Sequence, residues 1–135
     1  MVAFTLAACA QARDAPALTG KWERVAFRDA LGGTHRQTGT MILDIASVFD
    51  DSVVGRLLVA PNPDTEPDSV VQADLRGIRL PKARVSLVAF VPESTALDNI
   101  LEGYVRGDTI FVTTYRFRSG KNIMPLGDEI VFVRQ

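Results

Sequence analysis

What most constrains this chain is its punctuation. From Leu18 to Gln135 no stretch repeats its apolar residues at helical spacing. Instead, runs rich in Val, Ile, Leu, Phe and Thr alternate with clusters of Gly, Asp, Asn and Pro. The runs are GKWERVAFR (20–28), GTMILDIA (39–46), VVGRLLVA (53–60), SVVQADLRG (69–77), ARVSLVAFV (83–91), NILEGYVRG (99–107), DTIFVTTYRFR (108–118) and DEIVFVRQ (128–135). DALGGTHRQ, PNPDTEPD and SGKNIMPLG read as loops, Asp50-Asp51-Ser52 as a turn, and Gly107-Asp108 as a tight hairpin. Eight strands joined mostly by short turns predict an all-β fold. The simplest form is an eight-stranded antiparallel up-and-down barrel, because closure removes exposed edges. A two-sheet sandwich is the alternative. The only stretch with helical promise, 93–99, is too short to change the class.

At 135 residues the chain fits one domain with its own core. Its formal net charge of −1 lacks the basic surplus of a nucleic-acid-binding protein. One cysteine, Cys9, cannot form an internal disulfide, and with one histidine, His35, it cannot complete a usual zinc set. No cofactor is expected. No apolar run reaches the roughly 18–20 residues of a membrane-spanning helix.

The N-terminus differs from the body. VAFTLAA (2–8) is apolar apart from Thr5, and AQARDAPAL after Cys9 has no strand or helix period. Small residues after an apolar run mark the end of a secretory signal. Leu6-Ala7-Ala8-Cys9 resembles the lipobox of bacterial lipoproteins. That resemblance implies lipidation at Cys9, a signal-peptide remnant at 1–8 and a flexible tether at 9–17 ahead of a domain at 18–135. With Ala10 following the cysteine, it also implies the periplasmic face of the outer membrane, with the lipid anchor as the membrane contact. The match departs from the family in one respect: residues 1–8 hold no Lys or Arg, which a full signal carries at its start. The alternative is a free cysteine in a frayed terminus.

The body opens Leu18-Thr19-Gly20-Lys21-Trp22, with the only tryptophan, and closes Val131-Phe132-Val133-Arg134. This pairing resembles the calycins, which include lipocalins, fatty-acid-binding proteins and avidins. The resemblance implies that Gly20, Trp22 and Arg134 close the barrel, the arginine packing across the indole. A guanidinium on an indole contributes roughly 0.5–2 kcal/mol. A biotin site of the avidin kind needs further tryptophans, and the lipocalin disulfide is absent. What is implied is a lipocalin-like domain.

No catalytic set emerges, so no enzymatic activity is expected. His35 lies in a Gly-rich loop without a nucleophile motif. The acids at 50–51 and 64–68 fit solubilising turns, not a calcium loop. Glu102, Tyr104 and Arg106, grouped with Tyr115 and Arg116 of the next run, are the candidate polar set; in 99–107 the first three share one face, lining a lumen if it points inward and solvated if it points outward. The runs at 39–46 and 53–60 are apolar on both faces, which fits a covered wall, a dimer contact, or a lipid- or partner-facing patch.

Two functional expectations follow. The first is an envelope lipoprotein that binds a small apolar or amphipathic ligand inside the barrel, lined by Met41, Leu43, Ile45, Leu57, Val88, Phe90, Tyr104, Phe111 and Phe132. The second is a solid barrel that binds or inhibits another envelope protein through loops 29–37, 61–68 and 118–127. A continuous void above roughly 300 Å³ favours the first, and a filled core with long ordered loops favours the second.

Overall fold

A computed structural model describes residues 17–35, 39–62, 70–91 and 95–135. Cys9, the remnant at 1–8 and most of the tether at 9–17 lie outside the described residues. The strands are β1 (Gly20–Arg28), β2 (Thr34–His35), β3 (Thr40–Phe49), β4 (Ser52–Ala60), β5 (Val71–Leu80), β6 (Arg84–Phe90), β7 (Asn99–Arg106), β8 (Thr109–Phe117) and β9 (Glu129–Arg134). Neighbours pair antiparallel in chain order from β3 to β9. β1 pairs with both β3 and β9, which closes the sheet on itself. The result is a closed eight-stranded up-and-down barrel, with the two-residue β2 added to the upper edge of β1. The sandwich alternative is thereby excluded. Among the described residues there is no α-helix; the stretch with helical promise gives one 3-10 turn at Thr95–Leu97.

Alternation fills the interior. Trp22, Leu43, Ile45, Leu75, Leu87, Leu101, Ile110, Val112 and Phe132 are all fully buried in one cluster. Three bulges shift the phase of their strands, at Val25 in β1, Ala46 in β3 and Thr113 in β8. Each places one extra residue on its strand and re-aims everything beyond it.

The two ends differ in kind. One end, the base, carries the tight turns at Asp50-Asp51, Pro81–Ala83 and Gly107-Asp108, and β1 begins and β9 finishes there. The longer connections, 29–39, 61–70, 91–98 and 118–128, all start and finish at the opposite, open end.

The base is held by Arg134. Its guanidinium lies 4.1 Å from the Trp22 ring centroid. Nε donates to Asp108 Oδ1 at 3.0 Å, Nη1 to the Thr19 carbonyl at 2.6 Å, and Nη2 to the Ala17 carbonyl. Trp22 Nε1 donates to the Leu18 carbonyl at 2.8 Å, so the buried indole keeps its polar atom satisfied. The segment Ala17–Thr19 is thereby tied across the barrel floor. At Gly20, with φ of 131°, a Cβ would come within 3.0 Å of Arg134 Nη1.

Gly103 is buried on the inner face of β7, and a Cβ there would run into the Phe111 carbonyl across the Thr113 bulge. Gly103→Ala is therefore expected to lower unfolding stability by about 1–3 kcal/mol in urea titration, the usual cost of overpacking. An unchanged midpoint would show that β7 and β8 are not in this register.

Candidate functional site

The open half of the lumen is not filled. β1 pairs with β3 only from Gly20 to Glu23, and above that point the Val25 bulge turns β1 away. β8 likewise pairs with β9 only from Thr109 to Val112. The gap above β8 is filled by the loop after it. The Ile123 and Met124 amides donate to the Tyr115 carbonyl at 2.8 and 3.0 Å, and Met124 is buried. Between these two splays lies a cavity of about 260 Å³, lined by Arg24, Phe27, Met41, Tyr115, Ile123, Met124, Pro125 and Ile130.

Two of these side chains are polar. Arg24 faces inward because it sits two residues beyond Trp22 and opposite Phe132. Its Nη2 reaches the Gly39 carbonyl at 3.4 Å, across the gap between β1 and β3. Burial lowers the pKa of this guanidinium from its usual value, and Tyr115 acts in the opposite direction. Tyr115 is the complement: burial raises the pKa of its phenol, and the Arg24 charge pulls it down. The Tyr115 hydroxyl donates to Asn99 Oδ1 at 2.7 Å, and Asn99 Nδ2 donates to the Leu97 carbonyl at 2.8 Å. The pocket is an apolar cup with one guanidinium and one anchored phenol on its wall. A site of this kind can hold a small molecule with an apolar body and an acceptor-rich, preferably anionic, head.

The surrounding loops are tied by carboxylates. Asp29 Oδ1 accepts from the Leu31 and Gly33 amides, and Oδ2 meets His35 Nε2 at 2.7 Å. Asp128 Oδ1 accepts from the Ala30 amide, which joins the 29–39 and 118–128 loops. Asp98, only 2% exposed, accepts from the Val91 amide and from Arg118 Nε. His35 therefore serves as a loop partner to Asp29. Among the described residues no three His, Cys, Asp or Glu side chains converge as metal ligands.

The expected lining residues divide into two groups. Met41, Leu43, Ile45, Leu57 and Phe132 point inward, but Leu43, Ile45, Leu57 and Phe132 form the packed core and only Met41 reaches the cavity. Val88, Phe90, Tyr104 and Phe111 are corrected to the outer face. Val85, Leu87 and Ala89 take the inner positions of β6, and Leu101, Gly103 and Val105 those of β7, so the alternate residues point away from the lumen. Tyr104 and Phe111 stack on each other outside the barrel with centroids 4.9 Å apart. Glu102 and Arg106 share that outer face with Tyr104.

Sequence reasoning misses Arg24, Phe27 and the plug Ile123–Pro125. Arg24 is available from alternation starting at Trp22. Phe27 faces inward only because the Val25 bulge reverses the phase, and the Thr113 bulge does the same for Tyr115.

No family model matches the chain, and no curated protein or solved structure does either. The closed eight-stranded barrel with its Trp22–Arg134 base is consistent with a calycin-like fold.

The Asp29 cap has a pH signature. His35 first, then the Gly33 amide, lower the pKa of its carboxyl from the usual value; slight desolvation opposes them. A depressed folded-state pKa means a contribution that is complete above the unfolded aspartate value of about 3.9 and lost as pH falls through the lower folded value. The Leu31 and Gly33 amide resonances should therefore hold steady to below pH ~3.9 and shift only beneath it. Midpoints at or above that value would contradict the cap.

Proposed function

We propose that this chain is a non-enzymatic, lipocalin-like envelope lipoprotein that holds a small amphipathic ligand at the open end of its barrel. The observation that carries the reading is Arg24. An arginine on the inner wall of an apolar cavity, opposite a hydrogen-bonded tyrosine, suits a bound anionic head group better than it suits a packed core. The volume of about 260 Å³ lies below the roughly 300 Å³ mark set above, which with the packed base counts toward the second reading and leaves room only for a small ligand. The ligand is therefore small: a short-chain or single-ring acid, with its apolar part against Phe27, Met41 and Ile130. Lipidation at Cys9 and the periplasmic face of the outer membrane belong to the same proposal and rest on the resemblance of Leu6–Cys9 to a lipobox.

A specific feature favours the second reading, an interaction protein that binds another envelope protein through its open-end loops. Leu31 and Leu126 are 97% and 74% exposed on the two loops joined by Asp128. Apolar tips on tied loops are what a protein partner would bury.

Calorimetry with octanoate separates the two. Under the ligand reading the parent binds octanoate and Arg24→Met binds it roughly ten- to a hundredfold more weakly, the value of a hydrogen bond to a charged group. If parent and variant bind alike, or neither binds, the ligand reading fails. If Leu31→Ser/Leu126→Ser then abolishes co-purification of an envelope protein, the interaction reading replaces it.

A further inference from the structure

Several strands carry apolar side chains on both faces, and the barrel interior accounts for only one of those faces. At the base end the outer face holds an unusual mixture. Phe49 is 78% exposed and Ile78 is 47% exposed. They lie in one cross-strand row, Phe49–Ser52–Ile78–Ser86, where the intervening serines are too short to cover them; the row ends at Glu102 on β7, which is paired with Arg116 at 4.0 Å. Beside this row Arg84 pairs in register with Tyr104, and the Arg106 guanidinium lies 5.9 Å from the Tyr104 ring.

Lys82 adds a third cation at the tip of the turn between β5 and β6. That turn is strained, since Lys82 and Ala83 both have positive φ, 64° and 58°, without being glycine. Among the described residues Lys82, Arg84 and Arg106 have no carboxylate partner, whereas Arg79 and Arg134 at the same end pair with Asp51 and Asp108. Asp50, beside Phe49, is the one carboxylate of the base turns outside those pairs. The band crosses from β3 to β7, a width of roughly 20 Å at the usual strand spacing.

Exposed aromatic and aliphatic side chains among unpaired cations are the composition of a surface that rests on an anionic bilayer. The apolar groups enter the headgroup boundary and the cations meet lipid phosphates. The chain itself points the same way. Residue 17 lies at the base, tied there by Arg134. The apolar run Val2–Ala8 is joined to it by a segment whose full extension is roughly 30 Å. We propose that the base of the barrel, through Phe49, Ile78 and Tyr104 with Lys82, Arg84 and Arg106, docks on an anionic lipid surface, leaving the open end facing away from the membrane. This extends the membrane contact proposed above, but it needs neither acylation of Cys9 nor an occupied pocket.

The test uses the full chain with Cys9→Ser, which cannot be acylated, and sedimentation with phosphatidylcholine vesicles with or without phosphatidylglycerol. Binding is expected only with phosphatidylglycerol, and should weaken in high salt. Each of Lys82→Ser, Arg84→Ser and Arg106→Ser should weaken it roughly fivefold, and all three together on the order of a hundredfold. Phe49→Trp should show a blue-shifted emission on those vesicles, while buried Trp22 supplies a constant background. Near-UV circular dichroism of each variant reports that the fold is kept.

Equal binding to neutral and anionic vesicles would overturn the proposal. So would a triple variant that binds like the parent, since the apolar run 2–8 would then be sufficient. An unshifted emission from the Phe49→Trp variant, or binding of the base to an acidic protein in place of vesicles, would overturn it too. Whether Cys9 is lipidated in its own envelope is a separate result, read by mass, and leaves these outcomes unchanged.

Discussion

The barrel depends on its seam, where β1 pairs with β9 along its length and Arg134 ties the base end of that ladder. The Arg134 guanidinium lies on the Trp22 ring, and its nitrogens take up the carbonyls of Ala17 and Thr19 and a carboxylate oxygen of Asp108. The stack joins β9 to β1. The hydrogen bonds join that seam to the entering chain and to the turn between β7 and β8. Because the base is fixed in this way, the Val25 bulge can bend the upper part of β1 without opening the barrel. The cavity exists only because that bend separates β1 from β3. Closure at one end is therefore the condition for an opening at the other.

The same arrangement divides the molecule functionally. The base half is packed solid by Trp22, Phe132, Leu43 and their neighbours, so no ligand passes through the barrel. What stays accessible is the outer surface and the open end. At the open end, buried or tied carboxylates hold the loops: Asp98 between Val91 and Arg118, Asp128 on Ala30, Asp29 on its own turn. Each of these contacts gives a backbone amide or a guanidinium a charged acceptor.

Much of the architecture is legible in the sequence. Gly20–Arg28 matches its expected bounds, Gly107-Asp108 forms its hairpin, and the closing role of Gly20, Trp22 and Arg134 follows from their placement in the first and last strands. The errors share a cause. In β6, β7 and β8 the outer faces mix large apolar or aromatic residues with polar ones, Val88 and Phe90 with Arg84 and Ser86, Tyr104 with Glu102 and Arg106, so hydrophobicity of the single residue does not assign its face. Val88, Phe90, Tyr104 and Phe111 suit a lumen as well as Leu87 and Leu101 do. Only the register, pinned by Gly103 against Phe111 and by the bulges, decides between the faces. A bulge leaves almost no trace in sequence, since it is the partner strand that leaves one residue unmatched. For that reason Phe27 is out of reach as a pocket residue, and Tyr115, grouped in sequence with the outward-facing Glu102, Tyr104 and Arg106, reaches the pocket without them, while Arg24, below the first bulge, can be read from Trp22.

The most direct test of the account is a double-mutant cycle at the base, using Trp22→Leu, Arg134→Met and the pair, with unfolding free energies from urea titration. If Arg134 closes the barrel through the indole, the two single losses will be coupled by about 0.5–2 kcal/mol. Additive losses, with no coupling, would mean that the arginine and the tryptophan act independently, and that the seam between β1 and β9 rests on its backbone ladder without their stack.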